Sequence, residues 1–228
     1  MTNQIDMSRN SKSWKLMVDA AKKGAVAQGY ALTRVPGRGL SNVWNAEKGG
    51  KTQLASIRTT RDRWIAFPPL EDGKKWKTLH NADLVIVAAV DDREDPKNIQ
   101  VYIFPAGEVR QRFDAAYKAR SNEGHRNKNN FGMWISLDTD NRGIAASVGS
   151  GLADKYKPIA TYSIEELAAD MPEGDTADAV DAIDAEEQEA KEAPPGTIAE
   201  VMAWARTKVA ELAGVSVDRV KLDLKVEY

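Results

Sequence analysis

The sequence predicts an α+β domain, with a central mixed β-sheet flanked by helices, followed by a small C-terminal helix–strand unit. Apolar residues recur at helical spacing in residues 11–28 and again from residue 107. Short segments that alternate like strands fill the interval between them. The run ADLVIVAAV, residues 82–90, is continuously apolar, which is typical of a strand buried on both faces.

The first half of the chain contains one helix and four candidate strands. Trp14, Met17, Val18 and Ala21 lie at helical spacing, and Gly29 ends the helix. The candidate strands are residues 30–35, 41–46, 53–59 and 63–67. EKGGK separates the second from the third as a hairpin turn, because paired glycines accept positive φ.

The second half predicts the central strand at 82–90, a strand at 99–104, a helix from Gly107 and a strand at 131–137. The first domain is therefore assigned to residues 1–160. Residues 161–196 are predicted to be an acidic flexible linker, since 164–193 carry twelve Asp and Glu against one Lys. Residues 197–228 predict a helix followed by a strand, which is too little to form a core alone and is expected to dock elsewhere.

Composition limits the cellular setting and the partners. The 228 residues include no cysteine, which favours the reducing cytoplasm and excludes disulfides and thiolate metal sites. No stretch is apolar enough for a membrane span, and no membrane partner is expected. Residues 1–160 carry 26 Lys and Arg against 17 Asp and Glu, whereas residues 161–228 carry 6 against 17. A basic body with an acidic tail is typical of proteins that contact nucleic acid.

The hairpin NVWNAEKGGKTQLASIRT carries the most specific signal. A helix, a strand, a Gly-Gly hairpin whose second strand ends in a cation, and an apolar strand follow one another over residues 11–118. This order resembles the PD-(D/E)XK nuclease fold, in its Holliday-junction-resolvase-like and restriction-like members. YIFPAGEV resembles the strand–Pro–helix exit of such proteins. The resemblance implies a nuclease-like core.

In that family an acid on one strand and a Glu-spacer-Lys on the next hold Mg²⁺ and activate water. The resemblance places Asn42 or Val43 at the acid position and Ser56-Ile57-Arg58 at the Glu-spacer-Lys position. A seryl hydroxyl brings no charge to a metal, and an arginine clamps phosphate but is not a base. The resemblance therefore implies a degenerate site, with no catalytic residue, no metal and no cofactor.

Basic and aromatic residues are interleaved in the first domain, which favours binding of phosphates and bases. The predicted nucleic-acid contacts are Arg38, Lys51, Arg58, Arg61, Arg63, Lys75 and Lys77. A second basic set is interpreted as a solvated helix face, namely Arg110, Arg112, Lys118, Arg120, Arg126 and Lys128. The acids of DDREDP and the two separated histidines are interpreted as ordinary turn and loop residues.

The sequence thus predicts a nucleic-acid-binding protein with an inactive nuclease-like domain, and DNA is favoured over RNA. Two alternatives stay open: a protein-interaction module of a bacterial or phage assembly, and a metal-dependent nuclease with an unrecognised site. Residues 197–228 are a candidate surface for a protein partner or for self-association. The acidic segment is expected to tune binding by competing for the basic body.

Overall fold

The computed structural model describes residues 11–37, 42–170, 202, 205, 206, 209 and 219–222. The chain divides into two compact units, Met1–Ala185 and Glu186–Tyr228. In the second unit the four described residues from 202 to 209 are helical, where the sequence predicts a helix. Residues 220–222, where a strand is predicted, have no regular secondary structure. Of the predicted linker, residues 171–196 lie outside the described residues, as do the other residues of the predicted tail.

Five helices and ten strands form the first unit over its described residues. The helices are α1 (Ser11–Ala27), α2 (Ala106–Asn122), α3 (Ile144–Ser147), α4 (Leu152–Lys155) and α5 (Ile164–Ala169). The strands are β1 (Ala31–Arg34), β2 (Val43–Lys48), β3 (Lys51–Thr60), β4 (Trp64–Phe67), β5 (Pro69–Leu70), β6 (Lys75–Trp76), β7 (Leu84–Val90), β8 (Asn98–Pro105), β9 (Met133–Ser136) and β10 (Ala160–Ser163).

Six strands form one mixed sheet in the order β1-β2-β3-β7-β8-β10. β3 and β7 run parallel, and every other neighbouring pair in this sheet is antiparallel. All seven residues of β7 are buried, which confirms the predicted central strand. Gly49 and Gly50 have φ of 59° and 76° and form the predicted hairpin turn between β2 and β3. The α+β class is therefore correct.

One face of the sheet, the α1 face, is covered mainly by α1. Ala20, Ala21 and Ala25 are fully buried there, because small side chains let the helix approach the strands closely. A Cβ on Gly24 would lie 2.8 Å from Val101 Cγ1, so this residue has room for hydrogen only. The apolar spacing seen in the sequence is therefore the contact surface of this helix.

The opposite face, the α2 face, is covered by α2 and by two small two-stranded sheets, β4–β9 and β5–β6. Phe113 of α2 packs edge-on against Phe67 and Trp76, with ring centroids 5.2 and 5.0 Å apart. Trp76 is only 1% exposed, and its Nε1 donates to Asp114 at 2.7 Å. This face is thus closed by a layer of short strands and loops as well as by a helix.

The folded part of the first unit continues past residue 160, where the sequence analysis places the domain boundary. β10 pairs with β8 at the edge of the sheet. Ile164 and Leu167 of α5 are 4% and 7% exposed and join the α1-face core. The acidic composition of this stretch conceals two apolar residues at helical spacing, and their burial extends the domain to at least Asp170.

Candidate nucleic-acid interface

The nuclease resemblance singles out Val43, Ser56 and Arg58, and these three residues are neighbours on the sheet. Val43 of β2 is directly opposite Ser56 of β3, and Arg58 follows two residues later on the same face. Ser56 and Arg58 also align with Val85 and Val87 of β7, which belong to the α2-face core. The three positions are therefore neighbours on the sheet, and they are occupied by a valine, a serine and an arginine.

The chemistry of these positions gives no site for a divalent metal. Val43 is 3% exposed, and Ser56 is fully buried with a hydroxyl that has no hydrogen-bond partner. In the described ranges no three Asp, Glu or His side chains are grouped closely enough to hold a metal ion. An uncharged hydroxyl beside an apolar side chain does not offset the dehydration of Mg²⁺.

Arg58 is half-buried beneath β4. Its Nε donates to the Ala66 carbonyl at 3.2 Å, its Nη1 donates to the Ile57 carbonyl at 3.1 Å, and its Nη2 donates to Thr78 Oγ1. The guanidinium also lies over the Phe67 ring, 4.4 Å from the centroid. These contacts join β3 to the strand that covers it, so Arg58 supports the fold at the position where the family carries a lysine.

Arg63 has an equally structural environment. Its Nε and Nη2 donate to the Asp138 carboxylate at 2.7 and 2.9 Å. Its Nη1 donates to the Val90 carbonyl at 2.7 Å and to Gln100 Oε1 at 3.0 Å, and its Nη2 also donates to the Tyr102 hydroxyl at 3.3 Å. The Asp138 hydrogen bonds raise the pKa of Arg63 despite its burial. Because a guanidinium has five N–H donors, no donor is left for a phosphate.

The other predicted contacts do not form one site. Lys75 is paired with Glu71 at 2.7 Å, and Arg61 and Lys77 are half-buried. Lys51 is exposed at the hairpin end of β3, roughly 20 Å along the strand from Arg58. Arg38 lies outside the described residues. Burial and internal hydrogen bonds thus remove the central arginines from the surface that the sequence analysis assigned to nucleic acid.

A different set of cations is brought together where the β5–β6 hairpin meets the C-terminal end of α2. Gly73 packs against Tyr117 so tightly that a Cβ would lie 2.7 Å from its ring. The Asp72 amide donates to Asn129 Oδ1 at 2.9 Å, and Asn129 Nδ2 donates back to Asp72 Oδ1 at 3.0 Å. Asn127 Nδ2 donates to the Tyr117 carbonyl at 3.2 Å. These contacts fix the hairpin, the helix and the following loop to one another.

Four exposed cations lie next in the chain to the residues that make these contacts. We call them the junction surface: Lys74, Lys118, Arg126 and Lys128. Among the described residues none of the four forms an ion pair. Carboxylates also lie at this junction: Glu71 is paired with Lys75, Asp72 accepts from Asn129, Asp114 accepts from Trp76, and Glu123 lies 3.7 Å from His125, an ion pair only when His125 is protonated. The four cations of the junction surface are thus exposed and form no ion pair within the described residues, while the neighbouring carboxylates reduce its net positive charge.

The sequence analysis did not connect these four cations, since it placed Lys118, Arg126 and Lys128 on a solvated helix face and did not include Lys74 among the predicted contacts. The contact that joins them is between Gly73 and Tyr117, which lie far apart in the chain. The available signal in the sequence was the Asp72-Gly73 dipeptide, which is typical of tight turns. In the structure Glu71, Asp72 and Gly73 all have positive φ values. Such a tight, glycine-ended turn fits closely against a neighbouring element.

No protein-family model, curated protein or solved structure matches this chain. None of the helices in the described ranges has the length and apolar character that crossing a bilayer requires.

Proposed function

We propose that this protein binds nucleic acid through phosphate contacts, with DNA favoured over RNA, and does not hydrolyse it. The cysteine-free composition fits the cytoplasm, which we propose as its location. The nuclease-like core implied by the hairpin remains part of this proposal, with its metal-binding positions replaced.

The observation that carries the proposal is the junction surface. Its four cations are exposed, come from three segments and lack carboxylate partners within the described residues. Each cation that neutralises a phosphate releases counterions, so affinity should fall steeply with salt. The half-buried arginines do not compete for this role, because their guanidinium groups are committed to the fold.

The absence of cleavage is inferred from the residue types at the resembled positions. Val43, Ser56 and Arg58 supply neither a carboxylate for Mg²⁺ nor a base for water. Purified protein is therefore expected to leave duplex and single-stranded DNA intact in the presence of Mg²⁺ or Mn²⁺. Cleavage that survives purification, and that disappears when a nearby carboxylate is replaced, would restore the metal-dependent nuclease as the better hypothesis.

The binding proposal is tested by replacing Lys74, Lys118, Arg126 and Lys128 with glutamine together. Because each phosphate contact contributes about 0.9 to the slope of log affinity against log salt for duplex DNA, loss of four contacts should reduce the magnitude of the slope by about 3.6. The comparison variant replaces Arg34, Lys48, Arg93 and Lys157, four exposed cations elsewhere that carry the same charge and are not predicted contacts.

Equal losses in the two variants would mean that overall charge, and not the junction surface, governs binding. If the unaltered protein binds no nucleic acid at low salt, the proposal is wrong. An acidic protein partner would then be the better hypothesis for the same surface.

A further inference from the structure

The two-stranded sheet β4–β9 has one face in the core and one face turned outward. Ile65, Phe67, Met133 and Ile135 are buried in the α2-face core. Side chains alternate along a strand, so the remaining positions point away from that core. Trp64 and Trp134 occupy outward positions and are half-buried, with Trp64 opposite Ser136 and Trp134 opposite Ala66.

The two tryptophans are close neighbours on this outward face. In the antiparallel register Trp134 stands two residues from the partner of Trp64, which is the diagonal position. Diagonal neighbours are roughly 7 Å apart, within reach of aromatic rings. Phe131 packs edge-on against Trp134, with ring centroids 6.1 Å apart and an interplanar angle of 79°. We call Trp64, Trp134 and Phe131 the tryptophan ribbon.

A cation lies over the face of one aromatic ring of the ribbon. The guanidinium carbon of Arg142 lies 5.5 Å from the Trp64 centroid, and the Arg142 side chain is 73% exposed. The guanidinium is oriented by Asp140, which accepts from Nη2 at 2.6 Å and from Nε at 3.0 Å. A planar group that is mostly in solvent thus reaches the indole face, and a planar base that stacks on Trp64 would take the place of the Arg142 guanidinium.

The ribbon continues into the junction surface. Lys128 begins the turn that leads to Phe131, whose amide donates to the Lys128 carbonyl at 3.3 Å. Arg126 lies two residues earlier and is also exposed. Aromatic faces beside exposed cations are the two parts of a single-strand site, because bases stack on the rings while phosphates meet the charges.

We propose that the tryptophan ribbon stacks unpaired bases of a single-stranded nucleic acid whose backbone follows the junction surface. This inference rests on the proposed function and adds to it the class of substrate and a second group of residues. In a duplex the base faces are already stacked on one another, so the tryptophans gain nothing from it. The cations Arg126 and Lys128 beside Phe131 favour a polyanion over an apolar protein surface, whereas beside Trp64 the carboxylates of Asp138 and Asp140 are paired with Arg63 and Arg142.

The test compares a labelled single-stranded oligonucleotide of about 20 nucleotides with the duplex of equal length, at about 0.1 M salt. The variant is Trp64→Ala with Trp134→Ala. Its affinity for the single strand should fall about five- to 150-fold for each base that loses its stack, while its affinity for the duplex changes less than about twofold. Anisotropy titration measures both.

Trp44→Ala is the matched control. Trp44 is also half-buried, and Lys22 lies 4.7 Å from its ring centroid, but it packs against the α1-face core. Its replacement should leave both affinities unchanged. A second variant, Trp64→Leu with Trp134→Leu, keeps apolar bulk without an aromatic face. It should show the same loss if the alanine variant does not fold.

The outcomes separate the two proposals. Binding to neither oligonucleotide by the unaltered protein would remove the proposed function and this inference together. Binding that the ribbon variants retain, or lose equally for both oligonucleotides, would overturn the inference alone. A ribbon variant that keeps its single-strand affinity but changes its sedimentation would identify the ribbon as a protein contact, which also overturns it.

Discussion

The two faces of the central sheet are closed by different means. On the α1 face a single long helix packs against the strands through alanine and glycine. On the α2 face five half-buried arginines donate to backbone carbonyls, four of them to carbonyls of the elements that cover the sheet and Arg63 to the Val90 carbonyl of β7. These arginines are Arg58, Arg63, Arg110, Arg112 and Arg120. Among the described residues no arginine does this on the α1 face.

The difference follows from where backbone hydrogen bonds are satisfied. A helix satisfies its own carbonyls except at its end, so α1 needs no outside donors. Short strands and loops leave carbonyls unpaired, and a guanidinium can satisfy several at once. Arg110 Nη1 alone lies within hydrogen-bond distance of the carbonyls of Leu79, His80 and Ala82. Part of the positive charge of the first domain therefore stabilises the α2-face cover and is unavailable to phosphate.

Arg63→Ala should break the α2-face cover and have the largest effect on stability. The variant removes five donors, and the carbonyl of Val90, a residue 1% exposed, loses its arginine partner. We expect the free energy of unfolding to fall by about 3 kcal/mol, measured by urea denaturation. Arg63→Lys should recover little, because an ammonium lacks the planar fork. Arg34→Ala, on an exposed strand, is the control, and equal effects at the two positions would contradict this account.

Gly24→Ala tests the close packing of α1 against the sheet on the α1 face. Its Cβ would lie 2.8 Å from Val101 Cγ1, so the helix must move away from the sheet. We expect a loss of about 2 kcal/mol in the free energy of unfolding. At Gly107 in α2 an added Cβ has its nearest neighbour at 3.9 Å, and alanine there should stabilise by up to about 1 kcal/mol. Val101→Ala should partly rescue the first variant, and full stability of Gly24→Ala alone would disprove close packing.

Glu108→Gln probes a smaller element of the α2 face, the attachment of α4 to α2. Glu108 Oε2 accepts from Lys155 Nζ at 2.6 Å and from the Tyr156 hydroxyl at 2.5 Å. Hydrogen bonds from Lys155, Tyr156 and Arg112 lower the pKa of Glu108 from its ordinary value of 4.5. We expect the variant to lose about 1 kcal/mol at neutral pH.

The pH dependence of that loss follows from the direction of the shift. A lowered folded-state pKa means that the carboxylate stabilises the fold above pH 4.5 and loses this effect as the pH falls through the folded-state pKa. The difference between the unaltered protein and the variant should therefore shrink in acid. Chemical denaturation at several pH values measures it, with Glu94→Gln, whose side chain is 88% exposed, as the control. A difference independent of pH would rule out the charge as its source.

Much of the fold could be predicted from periodicity. Helices α1 and α2 and strands β2, β3, β7 and β8 are long enough to show their apolar pattern. β5 and β6 have two residues each and carry no pattern, so the sequence analysis missed them. Acidic composition hid α5, and the four residues of β10 are too few to show a strand pattern. Apolar periodicity thus predicts a helix or strand only where the element is long and its exposed side chains are clearly more polar than its buried ones.

The candidate interface was harder to predict because a charge in a sequence does not reveal its partner. Arg58 and Arg63 lie in the region expected to bind phosphate, yet their donors are directed into the fold, by Ala66 and Thr78 for Arg58 and by the distant Asp138 for Arg63. Trp134 was not singled out, although β9 carries a large aromatic residue at one outward position, with Ser136 at the other. That aromatic residue was the available signal, and the pairing of β4 with β9 places it diagonally from Trp64.

The pairing of β4 with β9 also affects the order in which parts of the domain can fold during synthesis. Trp64 pairs with Ser136, whereas β1, β2 and β3 are joined by local hairpin contacts. As the chain leaves the ribosome from its N-terminus, α1 and the first strands can associate before β9 has been made. The Arg63–Asp138 contact also forms late, because Asp138 lies 75 residues after Arg63 in the chain. The β4–β9 part of the domain is therefore expected to exchange its amide hydrogens first.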